Sequence, residues 1–148
     1  MVKEYSSYLD MNIQHQRDID TFPMAFIFRD GKTSEQIGDE LFAVLGTRSL
    51  DDVCVSPVGI GLIRKDAVDA FNQMLNRHEK ERELFSSKKE NLKQAIITEM
   101  RNHEYGYTRE PFDTLMALGK TEHDLDTDEV FKTAWLEASK VVIKEDEG

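Results

Sequence analysis

One cysteine, Cys54, stands in 148 residues. A lone thiol excludes an intrachain disulfide and a cysteine-built zinc site. No apolar run approaches the roughly 20 residues that a membrane-spanning helix needs. The opening stretch MVKEYSSYLDMN lacks the apolar core of a signal peptide. Positive charge is also short. Nineteen Lys and Arg against 29 Asp and Glu leave a net charge of −10, whereas a nucleic-acid surface needs basic side chains in excess. GxGxxG, P-loop and HExxH motifs are absent, and Gly59 and Gly61 have the spacing of a turn or bulge rather than a phosphate cradle. No internal repeat is present. These absences predict a cytoplasmic protein with no membrane contact, no direct nucleic-acid contact and no cofactor.

What is present is unevenly placed acid. Residues 1–65 carry 10 acidic and 7 basic side chains, residues 66–109 carry 8 and 8, and residues 110–148 carry 11 and 4. The C-terminal quarter therefore holds most of the negative field. Such a field keeps a protein in solution, and it also suits a partner with a basic surface.

Residues 1–20 are polar and weakly patterned, which predicts a short helix or a weakly ordered arm. A single α+β domain is expected over 21–143, with a mobile tail at 144–148. The apolar run at 24–29 reads as a buried strand. Thr33 and Gln36 have capping-box spacing ahead of Ile37, Leu41 and Leu45, with Gly46 as the stop. Two further β-prone runs, 53–56 and 60–64, flank Ser56-Pro57-Val58-Gly59. A three-stranded antiparallel sheet in βαββ order follows, succeeded by a mostly helical half.

In that half Asp66 is expected to cap a helix carrying Val68, Phe71, Leu75, His78, Arg82 and Phe85 on one stripe. Ser87 and Glu90 have capping-box spacing for the next helix, with Leu92, Ile96, Met100 and His103 as its stripe and Gly106 as its end. Pro111 suits a first helical turn. Thr121 with Asp124, and Thr127, read as later caps.

Two His-Glu pairs stand out, His78-Glu79 and His103-Glu104. Imidazole and carboxylate are metal-ligand and acid–base groups, so a metal-dependent enzyme built on these four is one reading. In an antiparallel hairpin of the two helices, however, the histidines fall about seven residues out of register, on the order of 10 Å. That favours hydrogen-bonded histidines at the rim of a core. The cluster Asn102, His103, Glu104, Tyr105, Tyr107 and Thr108 is denser in donors and acceptors. It satisfies a helix terminus, or it presents a recognition surface in which tyrosine supplies contact area. Together with His78 and Glu79 these are the candidate binding residues. Cys54 reads as a buried structural thiol, and His15 and His123 as surface residues.

The segments GLIRKD (61–66), AFNQM (70–74) and RHEKE (77–81), with NHEYGYT (102–108) and LMALG (115–119), resemble uncharacterised small proteins carried by phages and other bacterial mobile elements. The resemblance spans roughly residues 24–140 and implies an accessory protein. Joined to the charge pattern, it suggests a protein acting by protein–protein interaction, for example by blocking a host defence protein with a basic surface. A metal-dependent enzyme and a phage structural or assembly component are the alternatives.

Overall fold

The computed structural model describes residues 1–147. In chain order the elements are α1 (Tyr8–Thr21), α2 (Ser34–Leu45), β1 (Val53–Val55), β2 (Leu62–Arg64), α3 (Val68–Ser86), α4 (Lys89–Asn102), α5 (Tyr105–Thr108), α6 (Phe112–Ala117), α7 (Glu122–Thr127) and α8 (Glu129–Glu147), with single 3-10 turns at Leu50–Asp52 and Lys65–Ala67. The architecture is α+β with a mostly helical C-terminal half, as expected. Two compact units emerge, Gln14–Glu79 and a second formed by Met1–Ile13 with Lys80–Gly148. Among the described residues no helix is long and apolar enough to cross a membrane.

The Gln14–Glu79 unit is built on α2 and the hairpin. Thr33 and Gln36 close the expected capping box, with Gln36 N–H donating to Thr33 Oγ1 at 3.2 Å and Thr33 N–H to Gln36 Oε1 at 2.9 Å. Gly46, at φ 70°, ends the helix in the left-handed conformation that a residue without Cβ adopts at no steric cost. Leu41 and Leu45 bury against Ala25 and Val53. The strands pair antiparallel in the register Val53↔Arg64, Cys54↔Ile63 and Val55↔Leu62.

The expected third strand at 24–29 does not form. Among the described residues its only ladder contact is an isolated bridge, Ala25↔Leu62, with N···O distances of 2.9 and 2.8 Å. The physical reason lies across the bridge. Gly59 and Gly61, at φ 84° and 71°, turn the chain just before Leu62, so residues beyond Ala25 have no opposing strand. Phe26 and Phe28, read as buried, are exposed, Phe28 to 75 %.

The Met1–Ile13/Lys80–Gly148 unit holds the larger core. Leu92, Ile96 and Met100 of α4, Leu115 of α6, and Phe131, Ala134, Trp135, Ala138 and Val142 of α8 form one buried cluster. Their spacings of three and four put each set on one helical face. Residues 1–13 are tied into this unit and are not a loose arm. Tyr5, Tyr8 and Met11 bury with Phe85 and Ala95. Tyr8 N–H donates to Gln94 Oε1, and Lys3 N–H to Glu81 Oε2, each at 2.7 Å. At the other end α8 continues through Glu147, past the expected start of the tail.

Three caps differ from expectation. Arg64 and Asp66 pair with one another, and α3 begins two residues later, at Val68, after the 3-10 turn. Ser87 donates to Leu84 O at 2.6 Å, so it closes α3, and α4 starts from Lys88 without a side-chain cap. Thr127 donates back to His123 O at 2.7 Å, and Asp128 Oδ1 accepts from Phe131 N–H at 3.1 Å in its place. In each case the expected capping group is engaged elsewhere: Asp66 accepts from the Arg64 guanidinium, and the Ser87 and Thr127 hydroxyls donate to carbonyls of the preceding turn. The Thr121–Asp124 box forms as read.

Candidate functional site

The predicted recognition cluster folds into a turn that is fixed on one side and open on the other. α4 ends at Asn102. Glu104 and Arg109, at φ 56° and 59°, bracket α5 in the left-handed region. A side chain there costs roughly 1–2 kcal/mol per residue, so surrounding contacts must hold the turn. Tyr105 packs edge-on against Trp135, with centroids 5.3 Å apart and planes at 74°. Gly106 is buried against α8. A Cβ at that position would lie 2.8 Å from Val142 O and would strike the Asp146 carboxylate. Arg109 Nε donates to Gly106 O at 3.0 Å, and Thr108 Oγ1 accepts from Glu110 N–H at 3.1 Å. With 105 and 106 anchored, Tyr107 projects outward and is 84 % exposed.

Beside Tyr107 lies a cleft of about 440 Å³. Met100 and Val142 supply its apolar floor, and Glu104, Tyr107, Glu145 and Asp146 its rim, with Arg101 at one side. Arg101 forks onto Glu145, Nη2 at 2.5 Å and Nε at 3.2 Å. This hydrogen-bonded pairing holds the Glu145 carboxyl below the usual range. Among the described residues, the Glu104 and Asp146 side chains have neither a hydrogen-bond partner nor an ion-pair partner. The rim thus presents an aromatic face with two uncompensated carboxylates.

Of the predicted cluster, Glu104 and Tyr107 face the cleft. Tyr105 belongs to the core, and Thr108 caps the turn. Asn102 Nδ2 donates to Glu99 Oε1 at 3.0 Å, and His103 Nε2 lies 3.9 Å from Glu99 Oε2. Glu145 and Asp146 were missed because they fall in the stretch read as a tail. The signal was available, since both continue the helical pattern of Phe131, Trp135, Ala138 and Val142.

His78 lies in the other unit. It is 1 % exposed, and His15, expected at the surface, is 5 % exposed. Their rings stack at 4.0 Å and 18°. Asp18 Oδ2 lies 2.9 Å from His78 Nε2 and accepts from Arg77 Nη2 at 2.7 Å, while its Oδ1 accepts from Gln14 Nε2 at 2.9 Å. Burial pushes the Asp18 carboxyl up, but hydrogen bonds from His78, Arg77 and Gln14 together outweigh it and bring the pKa down to about 2. An ionised Asp18 accepts from a protonated Nε2. The carboxylate serving His78 is therefore Asp18, from α1, and adjacent Glu79 lies exposed. The spacing Tyr8, Met11, His15, Asp18, Phe22 carried this set as a helical stripe. This arrangement clamps α1 to α3 within the unit. Among the described residues, no three or more His, Cys, Asp or Glu side chains are grouped to hold a metal ion.

Residues 7–141 match a family described as a family of unknown function, DUF7659. No curated protein and no solved structure matches the chain.

Proposed function

We propose that this chain, which belongs to the DUF7659 family, is a non-enzymatic binding protein that docks another protein on the turn at 102–109. One observation carries the reading: a tyrosine 84 % exposed is held outward by left-handed backbone and by a glycine pressed on α8. Backbone strain held in place by surrounding packing is a feature of functional sites. Tyrosine gives contact area with few rotors to freeze. His78, Asp18 and Arg77 are already paired with one another, which lowers the case for catalysis.

The resemblance of segments between 61 and 119 to phage and mobile-element proteins supports a partner in a bacterial host. Inhibition of a host defence protein is the specific form of the proposal. The test is quantitative affinity capture from bacterial lysate with the wild-type chain, Tyr107→Ala and Asp113→Asn. A discrete protein held by wild type and Asp113→Asn, released by Tyr107→Ala, and weakened as ionic strength rises past about 0.15 M, is the expected result. Absence of a partner, or capture indifferent to Tyr107 and to salt, overturns it.

A further inference from the structure

We infer that the cleft between α5 and α8 receives an arginine side chain of the docked protein, with Tyr107 as the stacking face and Glu104 and Asp146 as the carboxylate acceptors. The inference rests on the docking role proposed above and names what that site recognises.

Charge and lining chemistry both favour a guanidinium in the cleft. Among the lining residues Glu104, Glu145 and Asp146 carry three negative charges, and Arg101 supplies one positive. Arg101 is taken up by Glu145 through two nitrogens. The remaining carboxylates have no cation of this chain among the described residues. The floor of Met100 and Val142 is apolar, which suits the methylene stem of a long basic side chain. A cation over a tyrosine face is attracted by the ring's quadrupole, and a planar guanidinium stacks there while its N–H fork meets carboxylates. Lysine shares the charge but lacks the plane and the fork. The Arg101–Glu145 fork shows the same chemistry already in use at the edge of the cleft.

The probe is a capped Gly-Arg-Gly-Ser-Arg-Gly peptide, titrated into the full chain and followed by backbone amide resonances. Its counterpart carries citrulline, which keeps the shape of arginine and removes the charge. Saturable movement of the 104–107 and 145–146 resonances with the arginine peptide, and none with citrulline, is expected. Glu104→Gln, Asp146→Asn and Tyr107→Ala should each weaken binding about five-fold, the effect of roughly 1 kcal/mol. Tyr107→Phe should retain it, and Asp126→Asn, an acid outside the cleft, should leave it unchanged. Equal binding of citrulline, equal weakening by Asp126→Asn, or resonance changes confined to other surfaces would overturn the inference. Release of the captured partner by Tyr107→Ala but not by Glu104→Gln or Asp146→Asn removes the guanidinium and leaves the docking role standing. Capture unaffected by all three removes both.

Discussion

The two units draw on the same residue types and use them in opposite ways. In Gln14–Glu79, histidine, aspartate and arginine are brought together and consumed by one another. His78 and Arg77 both bond Asp18, and His15 lies flat on His78. In the other unit, the turn at 102–109 fixes Tyr105 and Gly106, while its Tyr107 and Glu104, with Asp146 of α8, face solvent. A buried polar group must find partners or lose stability, so internal pairing is evidence of architecture. Two rim carboxylates without internal partners, Glu104 and Asp146, beside a turn that strain and packing hold open, point outward.

That contrast can be broken by substitutions, taken from the largest expected effect downward. Phe131→Ala, in the α4–α8 core, should lower unfolding free energy by about 3–5 kcal/mol, read from denaturant midpoints. Gly106→Ala forces a Cβ against the Val142 carbonyl and should cost about 1–3 kcal/mol. It should also shift the 104–107 resonances, because the turn must lift from α8. Asp18→Asn should cost about 1–2 kcal/mol, after allowance for screening of a partly exposed group.

The pH dependence of Asp18 sharpens the same point. Its folded pKa, about 2, lies below the ordinary 3.8. The unfolded chain therefore binds this proton first as pH falls. The contribution of Asp18 is complete above about pH 4 and is lost as pH drops toward 2. Wild type should lose this increment of stability across that window, and Asp18→Asn should show no corresponding loss.

The remaining substitutions separate stability from binding. Glu104→Gly relieves a left-handed side chain and should stabilise by about 1 kcal/mol, while weakening binding to the arginine peptide. Tyr107→Ala should move stability by less than about 0.5 kcal/mol and abolish partner capture. A Tyr107→Ala protein that unfolds readily would place this tyrosine with the architecture instead.

Much of this was legible in sequence where a local rule acts alone. The Thr33–Gln36 and Thr121–Asp124 boxes, the Gly46 stop, the hairpin and the α8 stripe each follow from a few adjacent residues. Reading failed where a competitor lay elsewhere. Ser87 had Leu84 O within reach, and Thr127 had His123 O. The run at 24–29 lacked a strand to pair with because glycines turn the chain before Leu62. The 102–108 cluster was found from its density of polar groups, yet three of the eight residues lining its cleft, Val142, Glu145 and Asp146, come from α8, some forty residues on. His15 was misplaced because the stripe Tyr8, Met11, His15, Asp18, Phe22 is polar at His15 and Asp18, and the residues that meet them, Arg77 and His78, lie some sixty positions on.

The most direct measurement is site-specific photo-crosslinking in bacterial cells from a benzoylphenylalanine placed at position 107, with position 126 as the control. The account predicts one discrete protein adduct from 107, absent from 126 and suppressed by Glu104→Lys. No adduct at 107, or the same adduct pattern from both positions, would contradict it.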